Sequence, residues 1–234
     1  MNRETPEPRQ IPLDLAHTTG LSRDELVVSK SNAAAVNLID SWPQWPANFM
    51  IVAGPPGSGK SHLASIWAEQ ALAMRIAAGE LSAASSALSA GANVLIDGIG
   101  ETGFDETALF HLINAVRQDG GYLLITTRSW PSSWKVALPD LLSRVKSAPT
   151  IEIAEPDDSL LSGVILKLFA DRQLMVEPNV VSYLVSRIER SLATAQSVVE
   201  RLDKAALESK SRITRQLAAT VLTEMDQGQK TFDL

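Results

Sequence analysis

The stretch GPPGSGKS, Gly54 to Ser61, leaves few folds open to this chain. It follows a short apolar run, FMIVA (49–53), and precedes GKSHLASIWAEQALAM (59–74), where Leu63, Ile66, Trp67 and Leu72 recur at helical spacing. Strand, glycine-rich turn and helix in that order are the setting of a phosphate loop of the form G-x-x-x-x-G-K-[ST]. The run Gly54, Pro55, Pro56, Gly57, Ser58 and Gly59 would wrap phosphate oxygens, its glycines letting backbone N–H groups turn inward. The helix N-terminus adds the positive end of its dipole. Lys60 would bring a point charge to the β and γ phosphates, and the Ser61 hydroxyl would ligate Mg²⁺. His62 completes the cofactor-binding run as an ordinary first-turn helix residue. The competing reading is a glycine-rich turn that carries a lysine by chance. The flanking strand and helix count against it.

Around this loop, strand and helix patterns alternate. MRIAA (74–78), NVLID (93–97), YLLITT (122–127) and TIEIAEP (150–156) read as further strands. SAASSALSA (82–90), DETALFHLINAVRQDGG (105–121) and LPDLLSRVKSA (138–148) read as helices, and Ser31 or Asn32 caps an earlier one carrying Val36, Leu38 and Ile39. Such alternation predicts an α/β fold with a parallel sheet covered on both faces. Beyond Pro156 the pattern changes: segments 157–173, 177–189, 191–209 and 214–226 all read as helices. Three regions are expected: a disordered leader over 1–20, an α/β nucleotide-binding domain over 21–156 and a small all-helical lid over 157–234.

Composition narrows the function. A net charge of −6 argues against broad capture of nucleic acid, which depends on Lys and Arg neutralising phosphates. With no cysteine, disulfides and thiolate metal sites are impossible. The leader has charges but no apolar core, unlike a signal peptide, and no run approaches a membrane span. A cytoplasmic protein with no membrane partner is expected.

The metal's second protein ligand should be a carboxylate closing a neighbouring strand. Asp97, at the end of NVLID, is the candidate. The next position is Gly98, where ATPases of this kind generally place a second acid to polarise the attacking water; Glu101 lies three residues on. Nucleotide holding is therefore expected, with weak intrinsic hydrolysis.

The loop, the later carboxylate, the segment order and the helical end resemble an AAA+ module of the DnaA clade. Three segments carry this further. VALPDLLSRV (136–145) is similar to the segment bearing that clade's trans-acting arginine finger, which would be Arg144. RIERSLATAQSVVERLD (187–203) is similar to the lid segment with the sensor-2 arginine, which would be Arg190. DELVVSKSNAAAV (24–36) resembles the segment that closes over adenine, with Val27, Val28 and Asn32 as contacts. In the sensor-1 segment LLITTRSWP (123–131), Thr126 or Thr127 would face the γ-phosphate, and Arg128 replaces the acid common in DnaA-type chains. Trp130 and Trp134 read as exposed packing around a Pro-Ser-Ser turn.

Within the clade the resemblance runs to the Hda family, regulatory inactivators of the replication initiator DnaA. The leader carries QIPLDL, which fits the Q-x-x-L-x-L/F pattern that docks on the sliding clamp of DNA polymerase III. Gln10 would hydrogen-bond at the pocket rim, and Leu13 and Leu15 would fill an apolar cleft. Ile11 and Pro12 would limit the freedom of the free peptide. The resemblance implies ADP or ATP with Mg²⁺ as cofactors, the clamp and DnaA as partners, and AAA+-type self-association. No helix-turn-helix is seen, so no direct sequence-specific DNA binding is expected. The alternatives are a helicase-loader-like or DNA-remodelling ATPase of the same clade, and a small-molecule P-loop kinase.

Overall fold

A computed structural model describes residues 23–82, 90–100 and 103–230. The hexapeptide Gln10–Leu15, most of the expected helix at 82–90, and Glu101 lie outside these residues. Five parallel strands, β1 (Phe49–Ala53), β2 (Met74–Ile76), β3 (Val94–Ile99), β4 (Leu123–Thr127) and β5 (Thr150–Glu152), form one sheet of order β2-β3-β4-β1-β5. The strand bearing the glycine-rich loop is thus next to the centre, paired with β4 and β5.

Alternation along the strands sorts the core into two layers. Phe49, Ile51, Val94, Ile96, Leu123 and Ile125 face α3 (Glu106–Asp119) and α4 (Pro139–Ser147). Met50, Val52, Leu95 and Leu124 face α1 (Ala33–Asp40) and α2 (Lys60–Gln70), where Trp67 is fully buried and stacked on Trp45. Four helices follow the last strand: α5 (Asp158–Asp171), α6 (Pro178–Val185), α7 (Leu192–Ser209) and α8 (Arg215–Lys230). They enclose a separate apolar cluster with Phe169, Leu184, Val199 and Leu202 at its centre.

Several expectations are corrected. Leu72 is not on the core face of α2 but 91% exposed, because the helix ends at Gln70 and Leu72 takes a left-handed φ of 49°. The Ala73 N–H then reaches back to the Ala68 carbonyl and turns the chain into β2. Trp134 is buried rather than exposed, packed edge-on against Phe104, whereas Trp130 is exposed. The last strand stops at Glu152, and β3 runs two residues past Asp97.

Asp157 caps α5 at the junction of sheet and helices, its carboxylate accepting the Leu160 N–H at 2.7 Å. That bond, with further ones from Ser29 and Ser31, holds the carboxyl below the ordinary aspartate range. A carboxyl that titrates lower folded than unfolded stabilises fully above the unfolded pKa. The contribution fades as pH falls through the folded value. Asp157→Ala should cost about 1 kcal/mol at neutral pH. Asp157→Asn should keep most of the cap but flatten the acid limb of stability, as measured by urea unfolding across the carboxylate titration range.

Candidate functional site

The glycine-rich loop leaves the C-terminal end of β1 and is fixed from both sides. Ile153 N–H bonds to the Ala53 carbonyl at 2.8 Å, and Gly54 N–H bonds to the Thr127 carbonyl at 3.2 Å. A Cβ at Gly54 would stand 2.3 Å from the Ile153 carbonyl oxygen, so glycine is required by close approach. Gly57 and Gly59 take left-handed φ of 70° and 97°, and Gly59 is the N-cap of α2. Lys60 is buried, with Nζ donating to the Pro55 carbonyl at 2.6 Å and the Ser58 hydroxyl at 3.3 Å. Burial pushes its pKa down first; the charge of Arg128 pushes the same way, and Asp97 opposes both.

Asp97 and Ser61 come together as expected. The Ser61 hydroxyl donates to Asp97 Oδ1 at 3.1 Å. Thr126, fully buried, donates its hydroxyl to the same oxygen and accepts the Gly98 N–H at 2.7 Å. Thr126 therefore orients the carboxylate. Gly98 sits in the left-handed region at φ 76°, where the β3–β4 register shifts between Ile96 and Ile99. The bulge itself favours glycine there, and an acid would be strained.

Beside the loop lies a cavity of about 400 Å³, walled by 25–27, Asn32 and Val36, the loop and first turn of α2, and the lid helices α5 and α7. Val27 lines it and packs so closely on α5 that a Cβ at Gly163 would lie 2.8 Å away. Asn32 also lines it, but its side chain turns onto its own segment, donating to the Val27 carbonyl at 2.9 Å and accepting the Ser29 N–H at 2.8 Å. It caps no N–H of α1. His62 lies on the wall. Val28 does not; it is 47% exposed, and Leu26 takes that place.

Arg190 is the clearest departure. It precedes α7 and pairs with Asp158 at 2.8 Å while donating to the Pro156 carbonyl at 3.2 Å, outside the cavity. The lid instead presents Leu192, Ala193 and Gln196 from the start of α7. Leu160, Val164 and Leu168 of α5 also face the cavity and were missed, since their spacing reads equally as lid core. The contact between loop and lid is intimate: Leu192 N–H donates to the Gly57 carbonyl at 2.8 Å, and a Cβ at Gly57 would meet Ser191 Oγ at 2.1 Å. Arg144 is elsewhere. On α4, across the sheet from α2, its guanidinium lies over the Phe110 ring at 5.1 Å, not beside Asp140 as an ion pair.

Known proteins resemble this arrangement. Residues 164–222 match the family described as the lid domain of Hda. Domain III of the DnaA replication initiation protein of Thermotoga maritima superposes with a TM-score of 0.76 at 17% identity, covering 87% of this chain and 96% of that one. AMPPCP-bound DnaA from Aquifex aeolicus gives 0.65 at 16%, covering 78% and 65%. The RuvB Holliday junction branch migration motor of T. maritima gives 0.70 at 18%, covering 86% and 71%. An uncharacterised protein of Haemophilus influenzae is 28% identical over 110 residues. That match covers 47% of this chain and 48% of that relative, so the chain spans about half the length of the curated relative it matches. The fold is that of an AAA+ α/β module with a helical lid. Over residues 164–222 its lid is similar to the lid domain of Hda, and its fold is similar to that of DnaA domain III.

The loop–lid contact gives a direct test. Gly57→Ala forces both a disfavoured φ and a clash with Ser191, and should destabilise by about 1–3 kcal/mol. Amide exchange should quicken at residues 192–194 in the same variant. Gly79→Ala, where a Cβ meets nothing within 4 Å, should leave both unfolding and exchange unchanged.

Proposed function

We propose that this chain is a regulatory AAA+ nucleotide-binding protein that docks on the DNA polymerase III sliding clamp and stimulates hydrolysis of ATP held by DnaA. The observation that carries the reading is the Hda-type lid at 164–222 on a DnaA-type nucleotide fold. The division at residue 156 serves it, with 21–156 binding nucleotide, 157–234 closing over it and the leader reaching the clamp.

ADP or ATP would lie with its phosphates in the Gly54–Ser61 loop and its base in the apolar cavity by Val27 and Asn32. DnaA of A. aeolicus with bound AMPPCP supports that placement by likeness of fold. Among the described residues no cluster of three or more His, Cys, Asp or Glu could hold a metal. One hydroxyl and one carboxylate, Ser61 and Asp97, suit Mg²⁺, which keeps several waters and takes its remaining ligands from phosphate oxygens. When bound, the ion would neutralise charge between the phosphates. Gly98 offers no carboxylate for an attacking water, so intrinsic turnover is slow. No described helix is long and apolar enough to cross a membrane.

Arg144 is the group that acts on the partner. It lies on the opposite face of the sheet from α2, is absent from the chain's own cavity and is held extended over an aromatic ring. In a head-to-tail AAA+ contact that face meets the next subunit's nucleotide. A guanidinium supplied in trans stabilises charge on the transferred phosphoryl group and contributes on the order of 10³–10⁵ in rate.

The test is phosphate release from DnaA-bound ATP in the presence of clamp-loaded DNA. Arg144→Ala should abolish the stimulation while keeping clamp association, and Arg144→Lys should rescue little because an ammonium lacks the planar fork. Gln10→Ala should lose clamp association and stimulation together, with an unchanged melting temperature. Full stimulation by Arg144→Ala would overturn the mechanism in favour of a loader-like role.

A further inference from the structure

The helical lid carries a cationic patch whose residues do not line the cavity. The guanidinium of Arg187, just past α6, lies 5.0 Å from the centroid of the Tyr183 ring. That of Arg215, the first residue of α8, lies 4.8 Å from the same ring. Both arginines are exposed, while Tyr183 is half-buried against the lid core. The loop from α7 to α8 adds Lys210 and Arg212, also exposed. That loop is built into the fold. Lys210 takes a left-handed φ of 48° at the end of α7, Ile213 is buried, and the Thr214 hydroxyl accepts the Leu217 N–H at 3.3 Å. Among the described residues none of these four cations forms an ion pair, although the whole chain carries a net charge of −6.

We propose that this patch binds the phosphate backbone of duplex DNA without reading its sequence. Three observations carry it. First, positive charge is concentrated here against its own electrostatics. Two guanidiniums share one ring, and Arg215 stands at the positive dipole end of α8, whose first turn holds no acid. An anion relieves both repulsions. Second, an aromatic ring attracts a guanidinium without accepting a strong hydrogen bond, so the N–H groups stay free for phosphate oxygens. Tyr183 is occupied by the two cations and is no platform for stacking a base, which points to backbone contact. Third, the cations stand exposed on a loop and two helix ends rather than converging in a cavity. That layout suits a polymer charged at every nucleotide better than one small anion.

The proposed work on clamp-loaded DNA makes duplex DNA the polyanion at hand. The identity of the polymer rests on that reading; the site rests on the lid alone. With the leader on the clamp and the lid on DNA beside it, two weak contacts in one chain reinforce each other.

Fluorescence anisotropy of a fluorescein-labelled duplex, titrated with the full chain between about 50 and 200 mM salt, tests this. Wild type should bind at low salt with a Kd on the order of 10⁻⁴–10⁻⁶ M and weaken steeply as salt rises. Arg187→Ala and Arg215→Ala should each weaken binding equally for unrelated duplex sequences and reduce the salt slope by about one; the double variant should lose about ten-fold. Replacing both by Lys keeps the charges and should keep most of the affinity, with melting temperatures unchanged throughout. Gln10→Ala should bind DNA as wild type does. A double alanine variant that matches wild type overturns the proposal. So does a wild type that binds no duplex at low salt, or one that captures polyglutamate more tightly than DNA, which would assign the patch to an acidic protein. None of these results bears on the phosphate-release test of Arg144. If wild type fails to stimulate DnaA there while DNA binding follows Arg187 and Arg215, the regulatory reading falls and the DNA site stands.

Discussion

The seat of the lid on the phosphate loop is the contact on which the site depends. Gly57 provides the left-handed turn that the loop needs, the bare Cα against which Ser191 packs, and the carbonyl that receives the Leu192 N–H. One residue thus shapes the loop and positions the lid. The consequence is electrostatic as well as steric. Both α2 and α7 begin at the loop, so the positive ends of two helix dipoles converge where phosphate oxygens would lie. A lid helix that arrives by its N-terminus already contributes favourable potential there, even with Ala193 and Gln196 on its inner side.

What the sequence made legible follows from how local each signal is. The glycine-rich loop was readable because its pattern lies within eight residues and Gly57 and Gly59 supply left-handed turns, although Gly54 is required by the distant Ile153 carbonyl. The four lid helices were readable because long amphipathic segments declare their period. Leu72 was misread because helical spacing says which residues could share a face, not where the helix ends; a single left-handed residue after Gln70 reverses the chain. Trp134 was misread because its burial comes from Phe104 and the α3–α4 layer, which no local pattern contains. Arg190 was assigned from the resemblance of segment 187–203, which does not contain Asp158, the residue more than thirty positions earlier that pairs with it.

Gly98 shows how one backbone feature constrains chemistry. The bulge in β3 sends the Gly98 N–H to Thr126, whose hydroxyl proton is thereby directed onto Asp97. This chain of bonds aims the carboxylate at Ser61. The left-handed φ that makes it possible also disfavours a side chain at 98. Within this backbone, precise placement of the Asp97 carboxylate and an acid at the next position compete, and the structure realises the first.

The two faces of the sheet are consequently unequal. Toward α1, α2 and the lid, the chain gathers what a nucleotide needs: loop amides, Lys60, Ser61, Asp97 and a cavity with apolar walls. Toward α3 and α4 it presents Arg144, propped over Phe110 rather than neutralised by a carboxylate. Resting a guanidinium on an aromatic ring keeps its charge attracted but its N–H groups uncommitted, because the ring face accepts no strong hydrogen bond. A phosphate presented by a partner can then form those bonds without first breaking an ion pair. An arginine tied as Arg190 is to Asp158 would have to break one. Arg144 and the glycine-rich loop therefore belong to opposite sides of one sheet, and the proposed action of Arg144 on a partner's nucleotide would leave the cavity beside the loop untouched.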